Sequence, residues 1–216
     1  MSKTEYLVYL IEILGTIAFA SSGALVGIER HMDIFGVGVL GITTAVGGGI
    51  IRDIVLGITP PNVFRNSSYV LVAIIVSILL FLVHYIKDQK KIVSGLVMKR
   101  YYDLVMLWLD AVGLGIFTVV GINVAVKIGY QQHFFLLVFV GTITGIGGGV
   151  LRGVMAMRTP YIFVKHIYAS ASLAGAVAYI FLMRCLPVVP AMAAASALVV
   201  LIRVAAVRHK WNLPKV

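Results

Sequence analysis

The sequence contains one costly apolar motif twice, 100 residues apart. The first copy reads GITTAVGGGIIR at 41–52, before Thr59-Pro60, and the second reads GTITGIGGGVLR at 141–152, before Thr159-Pro160. Consecutive glycines inside a helix cost about 1 kcal/mol each relative to alanine, and an arginine inside an apolar span is also unfavourable. Such a costly feature, present twice, indicates two related halves that meet around a shared site.

The composition places the rest of the chain in a membrane. Of its 216 residues, 61% are hydrophobic and 12% are charged, whereas about 25% are charged in soluble domains. Apolar runs of about 20 residues, long enough to cross a hydrocarbon core, recur along the chain. They predict an all-α polytopic membrane protein with seven transmembrane helices at about 5–28, 34–57, 65–86, 102–126, 133–157, 162–184 and 188–207. Little sequence remains outside these spans, so we expect no enzyme activity.

The net charge of +10 raises the question of nucleic-acid binding, but the positions of the basic residues indicate topology instead. The odd-numbered loops and the C-terminal tail hold Arg30, Lys87, Lys90, Lys91, Lys99, Arg100, Arg158, Lys165, Arg203, Arg208, Lys210 and Lys215. The N-terminal tail and the even-numbered loops hold only Lys3, Arg65, Lys127 and Arg184. Because cytoplasmic loops carry the excess of Lys and Arg, we expect a cell inner membrane protein with its N-terminus outside and its C-terminus in the cytoplasm. We expect no nucleic-acid partner.

The internal repeat extends beyond the glycines. At an offset of 98, Glu12, Gly15, Phe19 and Gly23 match Asp110, Gly113, Phe117 and Gly121. Repeat 1 therefore covers about 5–86 and repeat 2 about 102–184, and the helix at about 188–207 is an extra one without a partner. Since three spans per repeat is an odd number, the second repeat enters the membrane from the opposite side. The two repeats are thus inverted within one transmembrane domain, 1–216.

The glycine triplets, Gly47, Gly48 and Gly49 in one half and Gly147, Gly148 and Gly149 in the other, have two interpretations. Small residues four positions apart allow close helix crossings in membranes. Alternatively, three adjacent glycines favour an unwound or kinked helix, whose freed carbonyls could coordinate a permeant K⁺ or Na⁺. Broken backbone survives at this depth only where it lines a cavity or is covered by protein.

The arginines that follow the triplets need acidic partners. On the predicted spans, Glu12 lies at a depth similar to that of Arg52, and Asp110 at a depth similar to that of Arg152. We therefore predict one ion pair per repeat, at opposite ends of the membrane. Such pairs could simply fix helix positions, or they could form charged constrictions or a gate along a pore. Asp53 has no acidic counterpart, because Gly153 stands at the matching position, and Asp53 could pair locally with Arg52.

Two further groups of residues carry weaker expectations. The cluster of Lys87, Lys90, Lys91, Lys99 and Arg100 is typical of a topology determinant, with anionic-lipid binding as the less favoured interpretation. The five histidines are scattered without metal-ligand spacing, and Cys185 is the sole cysteine. We therefore expect no metal site, no cofactor and no internal disulfide.

At Gly47-Gly48-Gly49-Ile50-Ile51-Arg52-Asp53 the chain resembles the prokaryotic trimeric intracellular cation (TRIC) channel family, also called the glycine-transporter-like domain family. The resemblance covers nearly the whole chain. It implies a homotrimer in the lipid membrane with one water-filled pore per protomer, permeable to K⁺ and less so to Na⁺. It also implies that the second and fifth membrane helices kink at the glycines and line the pore. In the second copy Gly153 stands where the motif has an acid after the arginine. Any role that the resemblance implies for this acid therefore applies to Asp53 alone.

A passive channel for monovalent cations is thus the favoured function, and a secondary transporter of a small solute such as glycine is the alternative. Inverted repeats with broken helices near the membrane midplane are also typical of transporters. A channel needs a continuous wet path, whereas a transporter needs an occluded site and alternating gates. An intramembrane hydrolase is disfavoured, because the sequence offers no Ser/His or paired-Asp constellation at matched depth.

Overall fold

A computed structural model describes residues 2–89, 95–164 and 167–211. Within these ranges every regular element is a helix. In chain order the helices are α1 (Lys3–Glu29), α2 (Ile34–Val55), α3 (Asn62–Arg65), α4 (Ser68–Gln89), α5 (Gly95–Lys127), α6 (Phe134–Met155), α7 (Tyr161–Val164), α8 (Ala169–Leu182) and α9 (Val188–Arg208). The predicted all-α class is confirmed.

Six of the described helices are long and apolar enough to cross a membrane: α1, α2, α4, α5, α6 and α9. The predicted count of seven spans is not confirmed, because α8 has 14 residues and would extend about 21 Å at 1.5 Å per residue. The predicted span at about 162–184 divides into α7 and α8. Ile167 lies between them with a φ of 50°, a left-handed conformation that an α-helix does not contain.

Helix starts follow local capping chemistry. Before α1, the Ser2 hydroxyl accepts a hydrogen bond from the Glu5 amide, and the Glu5 carboxylate accepts one from the Ser2 amide, which forms a capping box. Before α2, Asp33 accepts a hydrogen bond from the Gly36 amide at 2.7 Å. These caps fix where the two first membrane helices begin.

The packing brings α2 and α6 together at the centre. Helix α1 packs on α2 and α4, and α5 packs on α6 and α8, so each half forms a three-helix bundle. The two bundles meet where α2 packs on α6 and α1 packs on α5. Helix α9 covers α5 and α8 from outside the two bundles. Both glycine triplets therefore lie at the contact between the halves.

Candidate functional site

The glycine triplets form a close crossing between α2 and α6. A Cβ added at Gly48 would collide with the backbone oxygen of Thr144, and one added at Gly148 would collide with that of Thr44. A Cβ on Gly147 would lie 3.0 Å from the Cα of Gly48. The obstacle is backbone in each case and cannot rotate away. Only glycine allows this approach, and the contacts are reciprocal between the two copies.

The predicted unwinding at the triplets is wrong. Helix α2 is continuously α-helical from Ile34 to Val55, and α6 from Phe134 to Met155. The physical reason is that the backbone of the opposite helix packs against Gly48, Gly147 and Gly148, in the space that a side chain would otherwise fill. The helix therefore keeps its own backbone hydrogen bonds and frees no carbonyl oxygen for an ion. A bend of the helix axis without unwinding remains a prediction.

Two aromatic rings lie beside the crossing. Phe19 on α1 and Phe117 on α5 occupy matching repeat positions, and their ring centroids are 5.3 Å apart. Phe19 is buried, and the space for a Cβ on Gly113 is filled by its ring. Phe117 lines a cavity in the first half. The two rings thus contact each other where the halves meet, with Phe19 also close to Gly148 of α6.

That cavity, which we call the Glu12 cavity, has a volume of about 260 Å³. It lies among α1, α2, α3, α4 and the C-terminal half of α5. Its polar lining includes Glu12, Arg52, Asp53, Asn62 and Tyr69. Gly49 also faces it, and a Cβ there would meet only Arg52, at 3.7 Å. One end of the protein is therefore open and carries both signs of charge.

In the Glu12 cavity, Arg52 pairs with Asp53 and not with Glu12. The Arg52 Nε and Nη2 atoms each lie 2.8 Å from the Asp53 Oδ1 atom. Asp53 also accepts the Asn62 backbone N–H at 2.7 Å, at the start of α3. The predicted Glu12–Arg52 pair is wrong, because the neighbouring Asp53 is buried and fixed by Asn62 and so holds the guanidinium on α2. The predicted local pairing of Asp53 with Arg52 is confirmed.

Glu12 has a different partner. Its carboxylate accepts a hydrogen bond from the Tyr69 hydroxyl of α4. The Tyr69 ring lies 5.9 Å from the ring of Tyr9, one turn before Glu12. The Glu12 side chain is half-buried against the cavity and is held there by a neutral donor.

In the second half, the predicted ion pair is confirmed. The Arg152 Nη2 atom lies 2.9 Å from the Asp110 Oδ1 atom, with both side chains buried. Arg152 also donates a hydrogen bond to the Ser22 hydroxyl of α1. The Tyr168 hydroxyl donates to Asp110 at 3.4 Å, so an acid and a tyrosine are paired here as they are for Glu12 and Tyr69. The pair ties α5 to α6 and, through Ser22, to α1.

The space around this pair is nearly filled. The Arg152 pocket, lined by Val26, Gly149, Arg152, Gly153 and the turn at 158–160, measures about 10 Å³. A Cβ on Gly153 would lie 2.9 Å from the Cα of Pro160, and one on Gly149 would lie 2.8 Å from the Tyr168 hydroxyl. The turn at 158–160 therefore packs directly against Gly153, at the position where the first half has the side chain of Asp53. The exposed pair of Arg158 and Glu29, 2.8 Å apart, fastens this turn to the end of α1.

Arg203 corrects one assignment made for topology. We placed it among the cytoplasmic basic residues, but it is 1% exposed inside α9. Its guanidinium lies over the Tyr168 ring, with the Cζ atom 4.7 Å from the centroid, a cation–π geometry. The helix without a repeat partner therefore brings a third charge to the neighbourhood of Asp110 and Arg152.

Some predicted residues lie outside this geometry. Lys90 and Lys91 of the basic cluster are outside the described residues, and so are the side chains of Lys87, Lys99 and Arg100. Among the described side chains, no group of three or more His, Cys, Asp or Glu residues is arranged to hold a metal ion.

Sequence reasoning missed Tyr69, Asn62, Tyr168, Ser22 and Arg203. A signal existed for the two tyrosines, because they are 99 residues apart and the repeat offset is 98 to 100 residues. A second signal existed for Arg203, a charged residue within an apolar helix.

The comparisons with known proteins agree with this architecture. A family model described as glycine transporter matches the chain twice, at residues 9–85 and 107–184, once in each three-helix half. The UPF0126 inner membrane protein YadS of Escherichia coli K12 is 34% identical over 210 residues, which are 96% of this chain and 95% of that protein. Together with the apolar helices, these relatives make the chain a multi-pass membrane protein.

Solved structures show the same fold. The crystal structure of a prokaryotic TRIC channel in 0.5 M KCl has a TM-score of 0.85 and 32% identity, and the match covers 97% of this chain and 100% of that one. The TRIC trimeric intracellular cation channel orthologue from Rhodobacter sphaeroides has a TM-score of 0.81 and 34% identity, with 94% and 98% covered. The chain therefore belongs to the family of prokaryotic TRIC channels, to which the glycine transporter model also corresponds.

Proposed function

We propose that this protein is a passive channel for monovalent cations, K⁺ in particular, with a path inside each protomer. The observation that carries the proposal is the Glu12 cavity, a charged opening of about 260 Å³ among the helices of the first half and the C-terminal half of α5. The path would run from this cavity past Phe19 and Phe117 to the Arg152 pocket. The likeness to channels over nearly the whole chain supports the same function.

The described conformation corresponds to a closed channel. The Arg152 pocket, at about 10 Å³, has room for about one water molecule and none for a hydrated ion. Opening would require Arg152 to leave Asp110 and the turn at 158–160 to move away from Gly153. Both are discrete contacts that can be replaced, as a two-state gate requires.

The same relatives support a proposal for the assembly and the location. We infer a homotrimer, because the related channel from Rhodobacter sphaeroides is described as trimeric. We place it in the inner membrane, as YadS is named an inner membrane protein. The excess of basic residues in the odd-numbered loops supports an extracytoplasmic N-terminus. The Glu12 cavity then opens to the outside and the Arg152 pocket faces the cytoplasm.

The test is electrical recording of the purified protein in a planar bilayer. In symmetric KCl with no other solute, a channel gives discrete conductance steps. In a KCl gradient, cation selectivity places the reversal potential near the K⁺ equilibrium potential. Absence of current, together with uptake of a small solute such as glycine into vesicles, would reject the channel and favour a transporter, since a transporter needs alternating gates rather than a continuous path.

A further inference from the structure

We propose that the Glu12 carboxylate is a binding site for a monovalent cation entering the Glu12 cavity, and that Asp53 keeps this site available by holding Arg52. The proposal rests on the channel function and names the group that first receives the ion. It assigns different tasks to two acids that line the same cavity.

The first step is the state of the Glu12 carboxylate. Its partner, Tyr69, donates a neutral hydrogen bond, which orients the carboxylate without bringing a positive charge to it, while Arg52 and Lys127 act on it only through space. The side chain lines a cavity of about 260 Å³, many times the volume of one water molecule. Carboxylates at the mouth of a pore attract cations and repel anions.

The second step is the position of the arginine. Arg52 lines the same cavity and would neutralise Glu12 if it turned toward α1. Two of its nitrogens are instead held by one Asp53 oxygen at 2.8 Å, a charge-assisted arrangement of the stronger kind. The other Asp53 oxygen is fixed by the Asn62 amide at 2.7 Å. Asp53 is 1% exposed, so water competes little for these contacts.

The second half of the protein provides an internal comparison. There Gly153 replaces the acid, and Arg152 crosses to Asp110 at 2.9 Å. Asp110 is the repeat counterpart of Glu12, and Tyr168 donates to it as Tyr69 does to Glu12. Each half thus has an acid that accepts a hydrogen bond from a tyrosine. The cavity is open in the half where Asp53 holds the arginine, and nearly filled in the half where the arginine pairs with that acid. The residue after the arginine, Asp53 in one half and Gly153 in the other, is the difference that bears on where the arginine lies.

Other charges near the cavity are farther toward solvent. Arg65 is exposed and donates to the Thr59 carbonyl oxygen at 2.9 Å. Lys127 lies in the last turn of α5. Exposed charges are screened within about 10 Å at 0.1 M salt, so they oppose a cation at Glu12 less than a buried arginine beside it would.

The experiment compares single-channel conductance in symmetric KCl at about 10 mM and about 1 M, where the screening lengths are about 30 Å and 3 Å. For Glu12→Gln we expect conductance at least about twofold below wild type at low salt and close to wild type at high salt. The matched control is Glu5→Gln. It removes a carboxylate from the same end of α1 and keeps the capping box, in which glutamine serves equally.

A second variant tests the role of Asp53. Asp53→Asn keeps an oxygen for the Asn62 amide and removes the charge that holds Arg52, so we expect the same loss at low salt as in Glu12→Gln. The double variant Asp53→Asn/Arg52→Gln should recover most of the conductance. If Asp53→Asn conducts like wild type, the holding role is excluded.

A chemical rescue separates charge from folding. In a Cys185→Ala background, Glu12→Cys is recorded before and after labelling with a sulfonate-bearing or a neutral thiol reagent of similar size. The sulfonate label should raise the low-salt conductance at least about twofold over the neutral label, since it returns a negative charge. Equal conductance with both labels, or a wild-type value in Glu12→Gln, would overturn the cation site. Absence of K⁺ current in wild-type protein would instead reject the channel function itself.

Discussion

The guanidinium of Arg152 lies 2.9 Å from the carboxylate of Asp110, and neither side chain is more than 3% exposed. A charge buried this deeply persists only with a partner. Its repeat counterpart, Arg52, has a partner on its own helix, Asp53. One arginine therefore joins two helices and the other does not. The arginine that joins two helices lies in a nearly filled pocket, and the one held on its own helix lines an open cavity.

We expect Asp110→Asn to destabilise the protein by about 3–5 kcal/mol, because it leaves the Arg152 charge buried without its carboxylate. The double variant Asp110→Asn/Arg152→Gln should recover part of this loss. Thermal unfolding in detergent measures both. Strictly additive losses in the double variant would contradict the coupling.

The control for this prediction is the second ion pair at the same end. Arg158 and Glu29 are 2.8 Å apart but are 30% and 40% exposed. Exposed pairs contribute about 0–1 kcal/mol. Glu29→Gln should therefore change the unfolding temperature far less than Asp110→Asn, although the two distances are nearly equal.

The glycine crossing gives a steric prediction. Gly48→Ala places a methyl group against the Thr144 backbone, so α2 and α6 must separate. The matched control is Gly38→Ala on the same helix, where nothing lies within 4 Å of the added Cβ. Gly38→Ala should be neutral or stabilising by up to about 1 kcal/mol, whereas Gly48→Ala should lower the unfolding temperature and the yield of folded protein. Similar behaviour of the two variants would show that the crossing is not tight.

These contacts show what the sequence could predict. Matching depth within an inverted repeat was enough to predict the pair of Asp110 and Arg152, because buried charges need partners and few are available. The same rule failed for Glu12 and Arg52. Depth does not reveal that Asp53, one residue away in the chain, is fixed by Asn62 and reaches the guanidinium first. Which of two acids pairs with an arginine depends on how the side chains are oriented, and the spacing of residues along a helix does not reveal that orientation.

The glycines illustrate a second limit. A triplet indicates either a break or a crossing, and the choice depends on what packs against it. The backbone of α6 lies against Gly48, which makes the crossing the better solution. Similarly, apolar composition predicted a full span at about 162–184, but the turn around Ile167 shortens it to α8. Tertiary contacts decided both outcomes.

The open and closed ends predict different access to water. In a Cys185→Ala background, Val46→Cys lies on the wall of the Glu12 cavity, and Val26→Cys lies on the wall of the Arg152 pocket, where Val26 is 3% exposed. The exchange of valine for cysteine is the same in both. With a membrane-impermeant thiol reagent on both sides of protein in lipid nanodiscs, Val46→Cys should be labelled at least about tenfold faster, since the Arg152 pocket has room for about one water molecule and none for the reagent. Equal rates would contradict a closed Arg152 end.

Ion selectivity tests the role of Arg52. A bare arginine in a constriction repels cations and favours anions, so a cation channel requires its charge to be neutralised. Asp53 supplies this neutralisation at 2.8 Å. In Arg52→Ala, Asp53 keeps the Asn62 amide and the Asn62 side-chain nitrogen, at 2.7 and 3.3 Å, and Glu12 keeps its place beside Tyr69. We expect cation current to be preserved or increased, with the reversal potential in a KCl gradient still near the K⁺ equilibrium potential.

Arg65→Ala is the control for Arg52→Ala, because it removes an exposed guanidinium from the rim of the same cavity and leaves the pair of Arg52 and Asp53 intact. A shift of Arg52→Ala toward the chloride equilibrium potential would contradict this expectation. It would show that Arg52 holds Asp53 and Glu12 in the positions on which cation selectivity depends, since removal of a positive charge does not by itself favour anions.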